Sequence, residues 1–141
     1  MALKISLKPG EKFVVNGAVL VNGDRRNTIV IQNKASILRE RDIMAEADVT
    51  TPVRHVYFPI MLAYLDTANA KDYYQSFVER MTDLMNAIEN PDARLLCVQI
   101  SLDMMNQDYY RALTGCRKLL DYEAKVLGHV PGSLSPSSAD R

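Results

Sequence analysis

Residues 3–44 read LKISLKPGEKFVVNGAVLVNGDRRNTIVIQNKASILRERDIM, and the way apolar and polar side chains alternate along them decides the fold. At the start, Leu3, Ile5 and Leu7 fall on one face and Lys4, Ser6 and Lys8 on the other, the period of two of a half-buried strand. Pro9-Gly10 ends it. Phe13 to Val15 and Ala18 to Val21 flank Asn16-Gly17, a pair that accepts the positive φ angles of a two-residue hairpin turn. Asn22-Gly23 opens a polar loop that carries Asp24, Arg25 and Arg26 and leads into the β-branched run Thr28 to Ile31. After a turn at Asn33 to Ser36, Ile37-Leu38 opens either a short edge strand or a helical turn ending in Arg39 to Asp42. The stretch predicts a small antiparallel β-meander with a basic surface.

Beyond Thr51 the pattern changes to a helical one. Thr50-Thr51-Pro52 is a start signal, because Thr caps free amides and Pro suits the first helical position. A helix to about Asp66 follows, with Pro59 either kinking it or delaying its start to near Phe58. From Ala70 to Glu89 the residues Tyr73, Phe77, Met81, Leu84 and Ile88 recur at helical spacing, until Asn90-Pro91 stops the run. Leu95 to Met105 reads as helix, with a strand over Leu96 to Ile100 as the alternative. Tyr109, Leu113, Cys116, Leu120 and Leu127 keep helical spacing to Gly128, although Gly115 weakens that helix by roughly 1 kcal/mol against Ala. The expected fold is α+β: three to five short strands over residues 1–50, three or four helices over 51–128, and a disordered Ser- and Pro-rich tail over 129–141.

Seventeen Lys and Arg balance seventeen Asp and Glu, but residues 1–57 hold nine cations against six anions, so the front of the chain is the more welcoming to a polyanion. No secretory hydrophobic stretch opens the chain, and no run reaches the roughly 18 apolar residues of a membrane span. The expected location is the cytoplasm, with Cys97 and Cys116 reduced.

No arrangement of residues points to catalysis. Two Cys nineteen positions apart and two His, His55 and His129, lack the paired spacing of a zinc site, so neither a metal nor a cofactor is expected. Cys97 and Cys116 sit among apolar neighbours and read as core. Gly10, Gly17 and Gly23 match no phosphate-loop pattern and read as turn glycines. Glu40, Asp42, Glu46 and Asp48 are interleaved with Arg39 and Arg41 and read as solvated charge. Two features are left. Lys4, Lys8, Arg25, Arg26, Lys34, Arg39 and Arg41 are candidates for RNA phosphate and base-edge contacts, without an aromatic stacking platform in the strands. Tyr73, Tyr74, Tyr109 and Tyr110 form two consecutive pairs that cannot all point inward, and are candidates for a protein-partner face.

The segments LKISLKPGEKFVVNGAVL, GDRRNTIVIQNKASILRERDIM and TPVRHVYFPIMLAYLD closely resemble the FlbT family of alphaproteobacterial flagellar regulators, and the likeness runs to about Gly128. The resemblance implies a cytoplasmic post-transcriptional repressor of flagellin synthesis. Such a protein acts at the 5′ untranslated region of flagellin mRNA and promotes its decay, with a small regulator, FlaF, as an associated partner. A fainter similarity links the strands to the carbon storage regulator family. Ile5 to Glu11 stands where that family has an arginine-rich strand followed by Val-Gly-Glu, and Leu38-Arg39-Glu40 is similar to its His-Arg-Glu, which implies contacts by Lys8 and Arg39. Only one basic residue replaces a pair, and the loop lengths differ. The alternative function is a protein adaptor whose helical half grips flagellin, FlaF or a chaperone. A strand edge open to a second copy makes a homodimer a further expectation.

Overall fold

A computed structural model describes residues 2–128; the expected disordered tail, 129–141, lies outside them. The strands are β1 (Leu3–Leu7), β2 (Lys12–Val15), β3 (Ala18–Val21), β4 (Asn27–Ile31) and β5 (Ile37–Arg39). Four helices follow: α1 (Pro52–Leu65), α2 (Ala70–Ala87), α3 (Pro91–Met105) and α4 (Tyr109–Gly128). Strands first and helices after is the α+β order that the patterning predicts. The choice left open at Ile37 resolves both ways, as a three-residue strand running into a 3-10 turn at Glu40–Asp42.

The strands pair antiparallel in two small sheets, one of β1 and β4 and one ordered β3-β2-β5. Only β2 and β3 join as a hairpin between neighbours, and their turn has Asn16 at φ 51° and Gly17 at φ 85°, the positive pair that Asn-Gly supplies at low cost. The outer strand β1 reaches across to β4, with Leu3 opposite Ile31 and Leu7 opposite Asn27. Asn22 fastens this crossing: its Nδ2 donates to the carbonyls of Leu7, Lys8 and Arg25 at 3.3, 2.7 and 2.9 Å.

Alternation along the middle sheet builds three layers. Phe13 faces Ile5 and Leu7 of the outer sheet, with Ile29, Ile31 and Ile37 around them. The next residue, Val14, and likewise Leu38 in β5, point the other way into the helical core. A strand buried on both faces cannot show the half-polar alternation of a solvated one, hence the consecutive apolar run at Phe13-Val14. β3, at the free edge, has all four residues exposed.

α1 and α3 each start behind a side-chain cap. The Thr51 hydroxyl accepts from the Arg54 amide at 3.3 Å, so α1 runs from Pro52 through the buried Pro59 without a fresh start at Phe58. The Asn90 side chain accepts from the Ala93 amide at 3.0 Å, so the Asn-Pro pair that stops α2 also starts α3, which is helical throughout. Glu123 of α4 accepts from the Thr51 hydroxyl and, at 3.0 Å, from the Val53 amide, which ties α4 to the start of α1. The α3–α4 turn places Gln107 at φ 61°. Gly115 lets the two helices close: a Cβ there would meet Ile100 Cγ1 at 3.0 Å.

Candidate nucleic-acid interface

A cleft of about 760 Å³ opens where β1, the 34–36 turn and β5 meet α1 and α4. Its lining carries five cations, Lys4, Lys34, Arg39, Arg41 and Arg117, one carboxylate, Asp42, and two tyrosines, Tyr64 and Tyr110. Asp42 is shared: Arg117 Nε lies 3.2 Å from one of its oxygens and Arg41 Nε 3.7 Å from the other. One carboxylate cannot neutralise both guanidinium groups as well as two lysines, so the cleft keeps a positive field.

The cations are held to different degrees. Arg39 is committed to the fold: its Nη2 donates to the Ser6 carbonyl at 2.6 Å and pairs with Glu11 at 3.1 Å, joining the two sheets. Glu11 in turn accepts from the Lys8 amide at 2.9 Å, and this bond, with the Arg39 guanidinium, holds its carboxyl below the ordinary range. Arg41 is held loosely, its side chain 80% exposed and its Nε 3.7 Å from Asp42. Arg117 rises from α4 beneath them and lies over the Tyr110 ring, 5.7 Å from its centroid, a cation–π contact. Its Nε is buried with no hydrogen-bond acceptor in line, despite the nearby Asp42 oxygen. Burial alone would make that guanidinium easier to deprotonate, but the hydroxyl of Tyr57 and the charge of Asp42 outweigh it.

The aromatic floor is fixed by backbone contacts. Tyr64 and Tyr110 pack with ring centroids 5.6 Å apart and planes tilted by 45°. The Tyr64 hydroxyl accepts from the Ile37 amide and donates to the Ile37 carbonyl, and burial pushes its phenol up. Tyr57, beneath the cleft, donates to the Asp42 carbonyl at 2.6 Å, and burial pushes its phenol up to about 12. Tyr110 is half exposed and presents its ring to the opening.

Of the seven basic residues singled out in the sequence, Lys4, Lys34, Arg39 and Arg41 line this cleft. Lys8, Arg25 and Arg26 do not; they gather at the far end of β1, where Asn22 binds the Lys8 and Arg25 carbonyls. Lys4 and Lys8 stand about 13 Å apart along the strand. The four tyrosines also divide. Tyr73 donates to Asp66 at 3.0 Å and Tyr74 packs on Phe77, both half-buried on α2. Tyr109 is half-buried against the helical core, while Tyr110 joins the cations. Tyr64 and Arg117 complete the cleft without having been singled out. A signal for Arg117 exists: it is a charge set beside Cys116 on the apolar stripe Leu113, Cys116, Leu120, where solvation alone would not place it.

Cys97 and Cys116 are fully buried, and burial pushes both thiols up, away from the thiolate a nucleophile needs. Among the described residues no three His, Cys, Asp or Glu side chains gather into a metal-holding group, and no helix is long and apolar enough to cross a membrane.

The family model described as "Flagellar protein FlbT" matches residues 3–127, nearly all of the described chain. The chain belongs to the FlbT family. It is 53% identical over 135 residues to the "Flagellum biosynthesis repressor protein FlbT" of Caulobacter vibrioides, covering 96% of both chains. To a probable FlbT repressor of Caulobacter sp. strain K31 it is 55% identical over 92% of this chain and 99% of that one. A probable FlbT repressor of Bradyrhizobium diazoefficiens is 32% identical over 100% of this chain and 95% of its own. No solved structure matches the chain. The FlbT relatives bear names of regulators and not of enzymes.

Proposed function

We propose that this FlbT chain represses flagellin synthesis in the cytoplasm by binding the 5′ untranslated region of flagellin mRNA in the cleft between its strands and its helices. Membership of a family named for repression of flagellum biosynthesis gives the regulatory role in flagellar synthesis. The observation that carries the RNA reading is the cleft's makeup: five cations against one carboxylate, over two tyrosine rings. Phosphates would meet Lys4, Lys34 and Arg41, and an unstacked base would meet the exposed ring of Tyr110, the combination that single-stranded RNA requires. Promotion of mRNA decay needs no chemistry from the chain itself, since a bound leader that cannot be translated is open to ribonucleases already in the cell.

The test is binding of purified protein to a labelled flagellin leader across a salt series, beside a scrambled RNA of equal length. Leader-specific binding that weakens with salt supports the reading. Changing Lys4, Lys34 and Arg41 to Ala then lowers the slope of log affinity against log salt by about 0.7 per lost contact. Arg39 is left intact in this variant because it joins the sheets. Equal binding of both RNAs, or a slope unchanged by the triple substitution, overturns the assignment to the cleft. A parallel Lys8, Arg25 and Arg26 to Ala variant measures what the loop at the other end of β1 adds.

A further inference from the structure

Asp42 is the one carboxylate in the lining of the cation cleft, and among the described residues nothing donates a hydrogen bond to either of its oxygens. Arg117 Nε lies 3.2 Å from Oδ1 but out of line with it, and Arg41 Nε stands 3.7 Å from Oδ2, beyond hydrogen-bond distance. The fold engages this residue through its backbone, where the carbonyl accepts from the Tyr57 hydroxyl. The side chain is 16% exposed and borders the cleft. An ionised carboxyl so far out of water calls for donors to replace the water it has lost, and it offers two parallel acceptor oxygens and no donor of its own.

Phosphate cannot answer that call, being itself an anion with acceptor oxygens. A base edge can, and the four RNA bases answer it differently. Guanine alone carries two donors side by side on its Watson–Crick edge, N1–H and N2–H, followed by the acceptor O6. Uracil has a single donor between two acceptors, and adenine and cytosine each have one amine beside an acceptor ring nitrogen. A carboxylate with a guanidinium next to it is the complement of the guanine edge.

We propose that the cleft takes an unpaired guanine, with Asp42 accepting from N1–H and N2–H, Arg41 donating to O6, and the ring of Tyr110 stacked on the base. The proposal rests on the RNA reading above and adds to it the base that is read. The groups stand together. Arg117 borders both Asp42 and the Tyr110 ring, 5.7 Å from its centroid, and Arg41 adjoins Asp42 in the chain. Arg41 is 80% exposed and gives up only its loose contact with Asp42 to reach O6. Tyr110 is half exposed and open to stacking.

Changing the base, with the protein untouched, is the test. A short labelled oligouridine carrying guanosine, inosine, adenosine or uridine at its centre is titrated with the full chain by fluorescence anisotropy. Guanosine should bind tightest and adenosine about fivefold or more weaker, the discrimination that one bidentate base contact gives. Inosine, which keeps N1–H and O6 but lacks the N2 amine, should fall between them. Asp42→Asn puts a donor in place of one acceptor oxygen and should close the gap between guanosine and inosine. Free GTP that displaces the guanosine oligonucleotide where ATP does not supports the guanine site and gives it to a nucleotide in place of RNA. Equal affinity for all four oligonucleotides overturns the guanine site, while the RNA reading survives if that affinity falls with salt. A guanosine preference that persists in Asp42→Asn overturns the role given to Asp42. Binding to none of the four overturns the proposal too, and the flagellin leader titrated alongside shows whether the RNA reading falls with it.

Discussion

One oxygen atom of Tyr64 satisfies both backbone polar groups of Ile37, accepting from its amide at 2.8 Å and donating to its carbonyl at 2.9 Å. β5 has β2 on one side and no strand on the other, so this hydroxyl stands in for the missing neighbour. Tyr64→Phe keeps the ring but leaves a part-buried amide and carbonyl unpaired. A loss of about 1–3 kcal/mol in unfolding free energy is expected, to be measured by urea denaturation.

Glu11, which accepts from the Lys8 amide and pairs with Arg39, makes the strand layers sensitive to acid. Because the folded protein holds the Glu11 carboxyl below its ordinary value of 4.5, the stabilisation is fully present above that value. It is lost as pH falls through the lower folded value. Stability followed from pH 6 downward should decline through the carboxylate range, and Glu11→Gln should flatten part of that decline while lowering stability at neutral pH.

Tyr110 separates binding from folding. Its ring is half exposed, so Tyr110→Ala should cost little stability, yet it removes the stacking surface of the cleft and frees Arg117. Base stacking on an aromatic ring contributes about 1–3 kcal/mol, so leader affinity should fall by roughly tenfold or more. Tyr73→Ala, on α2, should leave affinity unchanged in the same gel-shift assay.

Gly115 weighs helix propensity against close packing. Ala there gains about 1 kcal/mol in helix propensity. Its Cβ, however, meets the branched and fully buried Ile100 at 3.0 Å, and overpacking of that kind costs about 1–3 kcal/mol. A net loss is expected in thermal unfolding, and Ile100→Val does not reverse it, because valine keeps the γ-carbon that the new Cβ meets.

Sequence legibility followed range. The Asn16-Gly17 hairpin, the Thr51 cap, the stop at Asn90-Pro91 and the spacing of α2 are local signals, and each stands where it was read, while the cap that Asn90 gives to α3 was not read. The pairing of β1 with β4 and of β5 with β2 is not local: it depends on Asn22 and on which faces of β2 meet which layer, and nothing in the order of strands states it. The site divides in the same manner. Lys4, Lys34, Arg39 and Arg41 were legible as cations, but that Arg39 is spent on Glu11, and that Tyr64 and Arg117 arrive from two separate helices, are facts of packing. A tyrosine pair read as one feature, Tyr109-Tyr110, is two features once α4 turns one ring inward and one into the cleft.

The crossing of β1 to β4 sets an order of events during synthesis. β1 leaves the ribosome before β4, and Ile31, opposite Leu3, is made a second or more after it at about 5–20 residues per second. The helices, by contrast, draw on contacts close in sequence and form quickly once emitted. β1 therefore waits unpaired for β4, and the cation cleft comes into being only when α4, made after the strands and the other described helices, brings Arg117 and Tyr110 beneath it.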